Sequence, residues 1–382
     1  MVLWVKMLQV ILFVLYAVLA GMFGLAVWRL RYAFTHFTMK SLVTTVKSIN
    51  DLPSVTVCIP ARNENHAMTD SLQRVIKSNY PKLEVIVLDD MSGDDTSALI
   101  KAFAHEGIRF VEGSKLPAEW LGKNHALQGL LKQASGTYVL FLDVDTRLSP
   151  DSVEQLVAYA MQEKAAMVSV LPRRDDSPRA SVFFSPLRYF WEIMFHRKSS
   201  PATASGAWMI HRKTLLDRFD GFTQFKDAIQ PESRISAELM ATGEYRFLIG
   251  TEQLGISYEK KWRSQIGTSI RLLFPLLGSK SVNVVIAVLD LLVLFSPALL
   301  VVSAVLVGWN VNHVVGVVFY VLFTGLYATY LRAIWNRAAI IGGILWPIIV
   351  AQELILVIVS AVRYKQNNVT WKGRQVKAPK IV

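Results

Sequence analysis

Cysteine is almost absent from this chain of 382 residues, with Cys58 as its single example. One cysteine excludes an intramolecular disulfide, so no crosslink within the chain stabilises the fold. Cys58 lies in a strand-like apolar run, where we expect a packed core thiol. The sequence also lacks internal repeats, low-complexity tracts and Gly/Ser linkers, which excludes a repeat architecture.

Acidic residues are scarce relative to basic ones, 29 against 41, for a formal net charge of +12. No known nucleic-acid-binding motif accompanies this excess. The basic residues instead cluster beside long apolar runs, where Lys and Arg mark the cytoplasmic side and attract anionic lipid. The clusters are Arg29, Arg31, Lys40 and Lys47; Lys260, Lys261, Arg263 and Arg271; and Arg363, Lys365, Lys372, Arg374, Lys377 and Lys380. We therefore predict a membrane partner and no nucleic acid.

Charged residues are nearly missing from four runs, each long enough to cross a bilayer. These runs cover residues 7–28, 282–309, 313–331 and 338–362. They account for the 52% apolar content without an unusually large core. We predict an N-terminal transmembrane anchor in residues 1–30, membrane helices in 281–362 and a basic tail in 363–382. The expected location is the cell membrane, with a multi-pass chain and a cytoplasmic catalytic domain.

Two features of the membrane part leave alternatives open. Val18-Leu19-Ala20 resembles a signal-peptide cleavage site, but the run continues to Trp28 and a basic flank follows it, which favours an uncleaved anchor. At the other end, three full spans would put the basic tail outside. The last run contains Gly342-Gly343, Pro347 and Glu353, so it is either a span or a re-entrant hairpin.

Residues 50–260 are charged and periodic, and they alternate strand-like and helix-like segments. This alternation predicts an α/β fold with a doubly wound, mostly parallel sheet. Residues 262–280 are basic and apolar and contain Pro275, which is typical of an interfacial helix.

Carboxylates follow two of the predicted strands. Asp90 follows the second strand, and Asp143 and Asp145 follow the fourth. Because ligands of doubly wound sheets bind at the carboxyl ends of the strands, these acids should share one crevice, where they suit a divalent cation and a phosphate-rich substrate. Arg62 and Lys123 would add cationic contacts, although Lys123 could also be an ordinary surface lysine.

Four motifs at strand ends and helix starts resemble the motifs of a known enzyme family. Their order and spacing over roughly residues 53–250 resemble family 2 glycosyltransferases with the Rossmann-like GT-A fold. The motifs are Pro60-Ala61-Arg62-Asn63-Glu64, Asp89-Asp90-Met91-Ser92-Gly93-Asp94-Asp95-Thr96, Trp120-x-Gly122-Lys123-x-x-Ala126 and Phe141-x-Asp143-x-Asp145. Within the family, the chain is similar to membrane-anchored enzymes that glycosylate lipids, including bacterial carotenoid (diaponeurosporenoate) glucosyltransferase and its hopanoid-associated relatives. A Trp371-Lys372-Gly373-Arg374 tail supports this narrower resemblance.

The resemblance implies a nucleotide-sugar donor, with a UDP-hexose as the expected donor, and Mg²⁺ or Mn²⁺ as the cofactor. It assigns the residues of the donor site, the metal site and an acceptor loop. Donor contacts would come from Ala61, Arg62, Glu64, Asp90, Lys123 and Asp143, metal ligation from Asp145 with Asp143, and acceptor contacts from Gly206, Ala207 and Trp208.

The sequence departs from the family pattern at the catalytic base. Inversion by in-line displacement needs a carboxylate across the sugar from the leaving diphosphate. Pro231 stands where the first of two acids is usual, so Glu232 aligns best as the base, with Asp227 and Glu238 as rivals. The Gln-x-x-Arg-Trp motif of processive synthases is also missing, which favours transfer of one sugar to each acceptor.

These observations predict an inverting transferase that moves one sugar to a membrane lipid or isoprenoid. Alternatives are a polyprenyl-phosphate sugar transferase, a small polysaccharide synthase and a non-catalytic membrane module that binds nucleotide sugars.

Overall fold

A computed structural model describes residues 2–39, 51–175, 187–259, 261–335 and 339–376. Its helices and strands alternate through the middle of the chain, with long helices at both ends. The α-helices are α1 (Val2–His36), α2 (Asn65–Ile76), α3 (Thr96–Ala102), α4 (Gly122–Gln133), α5 (Ser152–Gln162), α6 (Arg188–Phe195), α7 (Arg212–Phe219), α8 (Pro231–Ala241), α9 (Trp262–Leu276), α10 (Ser281–Val307), α11 (Val311–Ile334), α12 (Ala339–Ile344) and α13 (Trp346–Lys365). The strands are β1 (Val55–Ala61), β2 (Leu83–Asp89), β3 (Ile108–Glu112), β4 (Tyr138–Leu142), β5 (Thr146–Leu148), β6 (Met167–Leu171), β7 (Arg173–Arg174), β8 (Ala207–His211), β9 (Tyr245–Ile249), β10 (Ile256–Tyr258), β11 (Thr370–Trp371) and β12 (Arg374–Gln375).

A seven-stranded sheet in the order β3-β2-β1-β4-β8-β6-β9 forms the centre of the α/β domain. Strand β1 runs parallel to both β2 and β4, and its register pairs Ala61 with Asp89 and Cys58 with Phe141. This register brings the carboxyl ends of the three strands to one edge. The predicted doubly wound, mostly parallel sheet is confirmed.

Strand β8 is the exception, because it lies antiparallel between β4 and β6. Its side chains fill the space beside the central strand. Trp208 packs on Phe141 with ring centroids 4.4 Å apart, and Phe222 meets the Phe141 ring edge-on at 5.4 Å. Cys58 is fully buried in the same core cluster, as expected of a core thiol.

A second sheet, in the order β5-β10-β7, connects the central sheet to the start of α9. Strand β10 pairs with β5, which follows the Asp143–Asp145 turn directly. Arg147 on β5 donates to Asp70 at 2.9 Å and to Glu259 at 2.6 Å. The small sheet therefore fixes the N-terminus of α9 against the strand edge that carries the acids.

Among the described residues, four helices have the length and apolar composition to cross a membrane. They contain Lys6–His36, Ser281–Val307, Val311–Ile334 and Trp346–Lys365. In the first, 6% of the most apolar window is buried within the protein, against 44% in the last. Helix α13 therefore packs largely against other parts of this chain.

The last apolar run is two helices rather than one. Gly343 of α12 lies against Ala328 of α11, and the Tyr320 hydroxyl donates to the Ile344 carbonyl at 2.8 Å. The end of α12 thus lies beside the middle of α11, and α13 begins directly after Leu345, with Trp346 and Pro347 in its first turn.

Helix α13 packs along α9 through polar contacts. Trp262 donates to Gln352 at 3.0 Å, and the Ser360 hydroxyl donates to the Ile270 carbonyl at 2.6 Å. The Tyr364 hydroxyl reaches the Arg271 carbonyl at 2.6 Å. These contacts direct the chain after α13 back to the α/β domain.

Helix α3 is capped by a residue outside it. Asp95, at the N-cap position, makes no side-chain cap bond. The Asp94 carboxylate accepts from the Thr96 amide at 3.1 Å instead.

Candidate active site

A crevice of about 530 Å³ opens at the carboxyl edge of β1, β2 and β4. Acidic and basic side chains line it in nearly equal numbers. The acids are Glu64, Asp70, Asp90, Asp143, Asp145 and Glu259; the bases are Arg62, Lys123, Arg147, Lys261, Arg263, Arg271 and Lys372. The crevice thus brings together the strand-end acids, as the sequence predicts, and connects them to α9.

The loops after β1 and β2 are joined by hydrogen bonds. The Asp90 amide donates to the Ala61 carbonyl at 2.8 Å, and the Glu64 amide donates to the Thr96 hydroxyl at 2.8 Å. Arg62 donates to the Asp90 and Met91 carbonyls. This bonding fixes Ala61, Arg62 and Glu64 beside Asp90.

Asp90 is almost completely buried, with 3% of its surface exposed. Burial raises the pKa of its carboxyl, an effect that Arg374 and Arg62 oppose. Its Oδ2 accepts from Arg374, whereas its Oδ1 has no hydrogen-bond partner among the described residues. A buried carboxylate oxygen without a partner is costly, and a ligand donor would satisfy it.

The Asp143–Asp145 turn is held from β8. The Gly206 carbonyl accepts from the Asp143 amide at 2.9 Å and from the Thr146 hydroxyl at 3.0 Å. Lys123, in the first turn of α4, donates to Asp143 at 2.7 Å. Lys123 is therefore a crevice residue rather than a solvated surface lysine.

The carboxylates fit a divalent cation that takes its remaining ligands from a substrate. Within the described ranges, no three His, Cys, Asp or Glu side chains are arranged as a metal site. Asp143 and Asp145 nevertheless line the same crevice, and Mg²⁺ is commonly held by one or two carboxylates together with substrate phosphates and water.

Glu232 and Asp227 occupy different environments. Glu232 begins α8, is 2% exposed and has an Oε1 without a hydrogen-bond partner among the described residues. Burial raises its pKa; Lys123 and Arg271 lower it, and Asp143 raises it further. Asp227 is half-buried. Neither lines the crevice, although the crevice residues Lys123, Asp143 and Arg271 influence the pKa of Glu232.

The predicted acceptor loop requires a correction. Ala207 and Trp208 are 0% and 1% exposed on β8 and pack in the core, so neither side chain presents a surface to an acceptor. Gly206 acts through its carbonyl, which supports the acidic turn. Residues 206–208 thus support the Asp143–Asp145 turn from the core side.

The chain after α13 contributes residues that the sequence motifs left outside the site. Lys372 lines the crevice and pairs with Glu64 at 2.9 Å, and Arg374 pairs with Asp90. Arg271 lies with its guanidinium 5.2 Å from the centre of the Trp371 ring. The available signal was a basic cluster broken by Gly373, but sequence spacing gives no indication of a contact between positions 90 and 374.

The fold and the crevice define an α/β domain that presents acids and cations to a polyanionic ligand at its strand ends. Residues 56–219 match the sequence model of the family described as Glycosyl transferase family 2. This match agrees with the resemblance of the motifs to family 2 glycosyltransferases. The matched range contains Asp90, Asp143 and Asp145 but ends before Glu232 and the C-terminal residues.

Two curated relatives match part of the chain. The chain is 32% identical over 121 residues to 4,4'-diaponeurosporenoate glycosyltransferase of Staphylococcus aureus strain bovine RF122 / ET3-1, covering 31% of this chain and 32% of the relative. The protein of the same name from strain MRSA252 is 31% identical over 121 residues, with the same coverage. The matched segment thus spans about a third of the length of these curated relatives.

The similarity to a solved structure extends over nearly the whole chain. A mannosyltransferase from Pyrobaculum calidifontis, in complex with GDP-Man and Mn²⁺, aligns with 92% of this chain and 98% of its own. Its TM-score is 0.56 and its identity to this chain is 19%. The predicted GT-A fold with long apolar helices at the termini is confirmed.

Proposed function

We propose that this protein is an inverting glycosyltransferase that moves one sugar from a nucleotide-sugar donor to a membrane lipid. The observation that carries the proposal is the single crevice. It joins the strand-end acids Asp90, Asp143 and Asp145 to α9, a helix packed against the membrane helix α13. A water-soluble donor and a lipid acceptor can therefore meet in one place.

The donor occupies the strand-end side of the crevice. Asp90, with a free buried oxygen, accepts from the nucleoside, and Arg62 and Lys123 face the diphosphate. Asp145 with Asp143 would hold Mg²⁺ or Mn²⁺, and a cation bound there would supply positive charge for the diphosphate. The GDP-Man and Mn²⁺ bound to the Pyrobaculum neighbour support a nucleotide sugar and a divalent cation; UDP as the nucleotide follows from the sequence resemblance.

The acceptor enters from the α9 side. Lys261, Arg263 and Arg271 line that wall, and the staphylococcal relatives are named as glycosyltransferases of 4,4'-diaponeurosporenoate. A carotenoid or other isoprenoid lipid with a polar end fits a crevice whose wall is an interfacial helix.

Glu232 is the proposed base, ahead of Asp227. The acceptor oxygen attacks the anomeric carbon, the bond from that carbon to the diphosphate oxygen breaks, and the acceptor proton moves to Glu232. Burial raises the pKa of Glu232, which makes it a stronger base than an exposed carboxylate. Lys123 holds Asp143 in place during this exchange through its 2.7 Å bond.

The proposed location is the cell membrane, with the α/β domain on the cytoplasmic face. Helices α1, α10 and α11 cross the bilayer, and α12 with α13 forms a re-entrant hairpin. Because Arg374 contacts Asp90, the chain after α13 must lie on the same side as the crevice. This arrangement also puts the basic residues after the last apolar run on the cytoplasmic side, as the charge rule expects.

The test uses the purified protein in lipid nanodiscs with Mn²⁺ and UDP-glucose or GDP-mannose. Release of nucleoside diphosphate should require a lipid extract, and mass spectrometry should find one added sugar on a lipid. Asp145→Ala should abolish release, whereas Asp217→Ala, an exposed acid on α7, should not. Donor binding without release across the lipid panel would contradict catalysis, and products with many sugars would indicate a polysaccharide synthase.

A further inference from the structure

The residues after α13 fold back over the nucleoside end of the crevice. Strands β11 and β12 form a two-stranded hairpin, which the Val376 amide closes by donating to the Val369 carbonyl at 2.8 Å. We call residues 369–376 the tail hairpin. Its turn carries Lys372 and Gly373, and both of its cations reach acids of the donor site.

Arg374 occupies the carboxylate that the donor nucleoside would use. Its guanidinium donates to Asp90 Oδ2, and only 19% of the Arg374 side chain and 4% of the Asp90 side chain are exposed. An ion pair shielded from water in this way is stronger than an exposed one. Asp90 Oδ1 has no hydrogen-bond partner among the described residues, but it is buried as well. We therefore expect a nucleoside to reach Asp90 only when Arg374 moves away.

Lys372 makes the corresponding contact at the next loop. Its ammonium pairs with Glu64 at 2.9 Å and donates to the Asn63 carbonyl at 2.9 Å. Its own carbonyl accepts from Arg62 at 3.1 Å. Lys372 thus engages the β1 loop from both its side chain and its backbone.

The fit of the hairpin also depends on Gly122. A Cβ at this position would collide with the Arg374 guanidinium and approach the Asp90 carboxylate. The glycine therefore leaves the space through which Arg374 passes over the start of α4. The Trp-x-Gly-Lys motif and the tail share this contact, although they are far apart in the sequence.

We propose that the tail hairpin is a self-inhibitory plug: in the empty enzyme Arg374 and Lys372 neutralise Asp90 and Glu64, and a donor binds only by displacing the hairpin. The proposal rests on the assignment of this crevice as the donor site. The plug would regulate the enzyme, because only molecules with an open hairpin bind donor. The apparent donor affinity is therefore lowered in proportion to the fraction of closed molecules. Any factor that holds the hairpin away from the crevice would activate the enzyme.

The first test measures UDP and GDP binding by calorimetry in nanodiscs with Mn²⁺. Arg374→Gln should bind the preferred nucleotide about threefold or more tightly than the unmodified protein, because the competing pair is gone. Lys365→Gln removes an exposed charge from the last turn of α13 and should leave affinity unchanged. Unchanged or weaker binding by Arg374→Gln would overturn the plug.

A second measurement needs no substitution. Lys372 and Arg374 are themselves trypsin sites, so mass spectrometry of the C-terminal peptides reports whether the hairpin is open. Saturating nucleotide should accelerate cleavage after these residues, and slower cleavage would show closure over the ligand and contradict displacement. If no variant binds either nucleotide, the donor-site assignment fails as well; if the unmodified protein binds and Arg374→Gln does not differ, only the plug fails.

Discussion

Glu232 is buried outside the crevice lining, and the crevice charges of Lys123, Asp143 and Arg271 influence its pKa. Replacing it with glutamine keeps the shape and removes the proton acceptor. We expect Glu232→Gln to lower kcat by about 10²–10⁴-fold, the usual contribution of a general base, with nucleotide affinity unchanged. Asp227→Asn is the matched control and should retain most activity; the reverse pattern would make Asp227 the base.

The pH dependence of the same residue provides an independent check. Burial raises the pKa of Glu232, with Lys123 and Arg271 opposing the shift and Asp143 adding to it. A base must be deprotonated, so kcat should rise with pH through a pKa above the ordinary glutamate range and then level off. Initial rates measured over a pH series would show this rise in kcat. The Glu232→Gln variant should show no such rise.

A substitution at Gly122 tests the contact between Arg374 and Asp90 without changing either charged residue. Gly122→Ala should displace Arg374 and raise nucleotide affinity in the same direction as Arg374→Gln, because a Cβ fills the space of the guanidinium. Gly93→Ala is the control, since a Cβ there meets no atom within 4 Å. Binding titrations of the two variants should differ; equal affinities would mean that Arg374 can bond Asp90 by another path.

At the scale of elements, β8 supports the acidic turn from within the core. Trp208→Ala should cost about 3–5 kcal/mol of unfolding free energy, because it leaves a large cavity against Phe141 and Phe222. Trp208→Phe should lose less and keep the KM values for donor and lipid. Denaturant unfolding and kinetics separate these effects, and a raised lipid KM in a stable Trp208→Phe protein would restore the acceptor role.

The same strand illustrates what sequence patterns can and cannot provide. Apolar runs that end in acids predicted β2, β4 and their shared edge, because strand register follows directly from the parallel βαβ units. The antiparallel insertion of β8 was not predicted, since a short apolar strand carries no direction in its composition. Trp208 was consequently assigned to a loop that faces an acceptor rather than to the core.

The long apolar helices show the same limit of sequence patterns. Composition predicted both ends of α10 and α11 to within about three residues, whereas α1 extends beyond the predicted run at both ends. The last apolar run was ambiguous because Gly342, Gly343 and Pro347 interrupt it. The contact of α12 with the middle of α11 supports the proposed re-entrant hairpin, and sequence spacing gives no indication of that contact. The tail residues of the site were missed for a related reason: tertiary contact, not local pattern, brings Arg374 to Asp90.

For the whole molecule, the proposed topology predicts which positions share a side of the bilayer. Cysteines introduced at exposed Asp95 and Lys365 should both react with an impermeant maleimide from the cytoplasmic side, and one at Trp309, between α10 and α11, only from the opposite side. Buried Cys58 should contribute little background. Labelling of Lys365→Cys together with Trp309→Cys would contradict the re-entrant hairpin.

The Arg374–Asp90 pair joins positions 284 residues apart, and all the described apolar helices after the α/β domain lie between them. The chain can therefore make this contact only after synthesis has passed those helices. Until then Asp90 lacks its Arg374 partner, so the closure of the tail hairpin belongs to the late steps of folding.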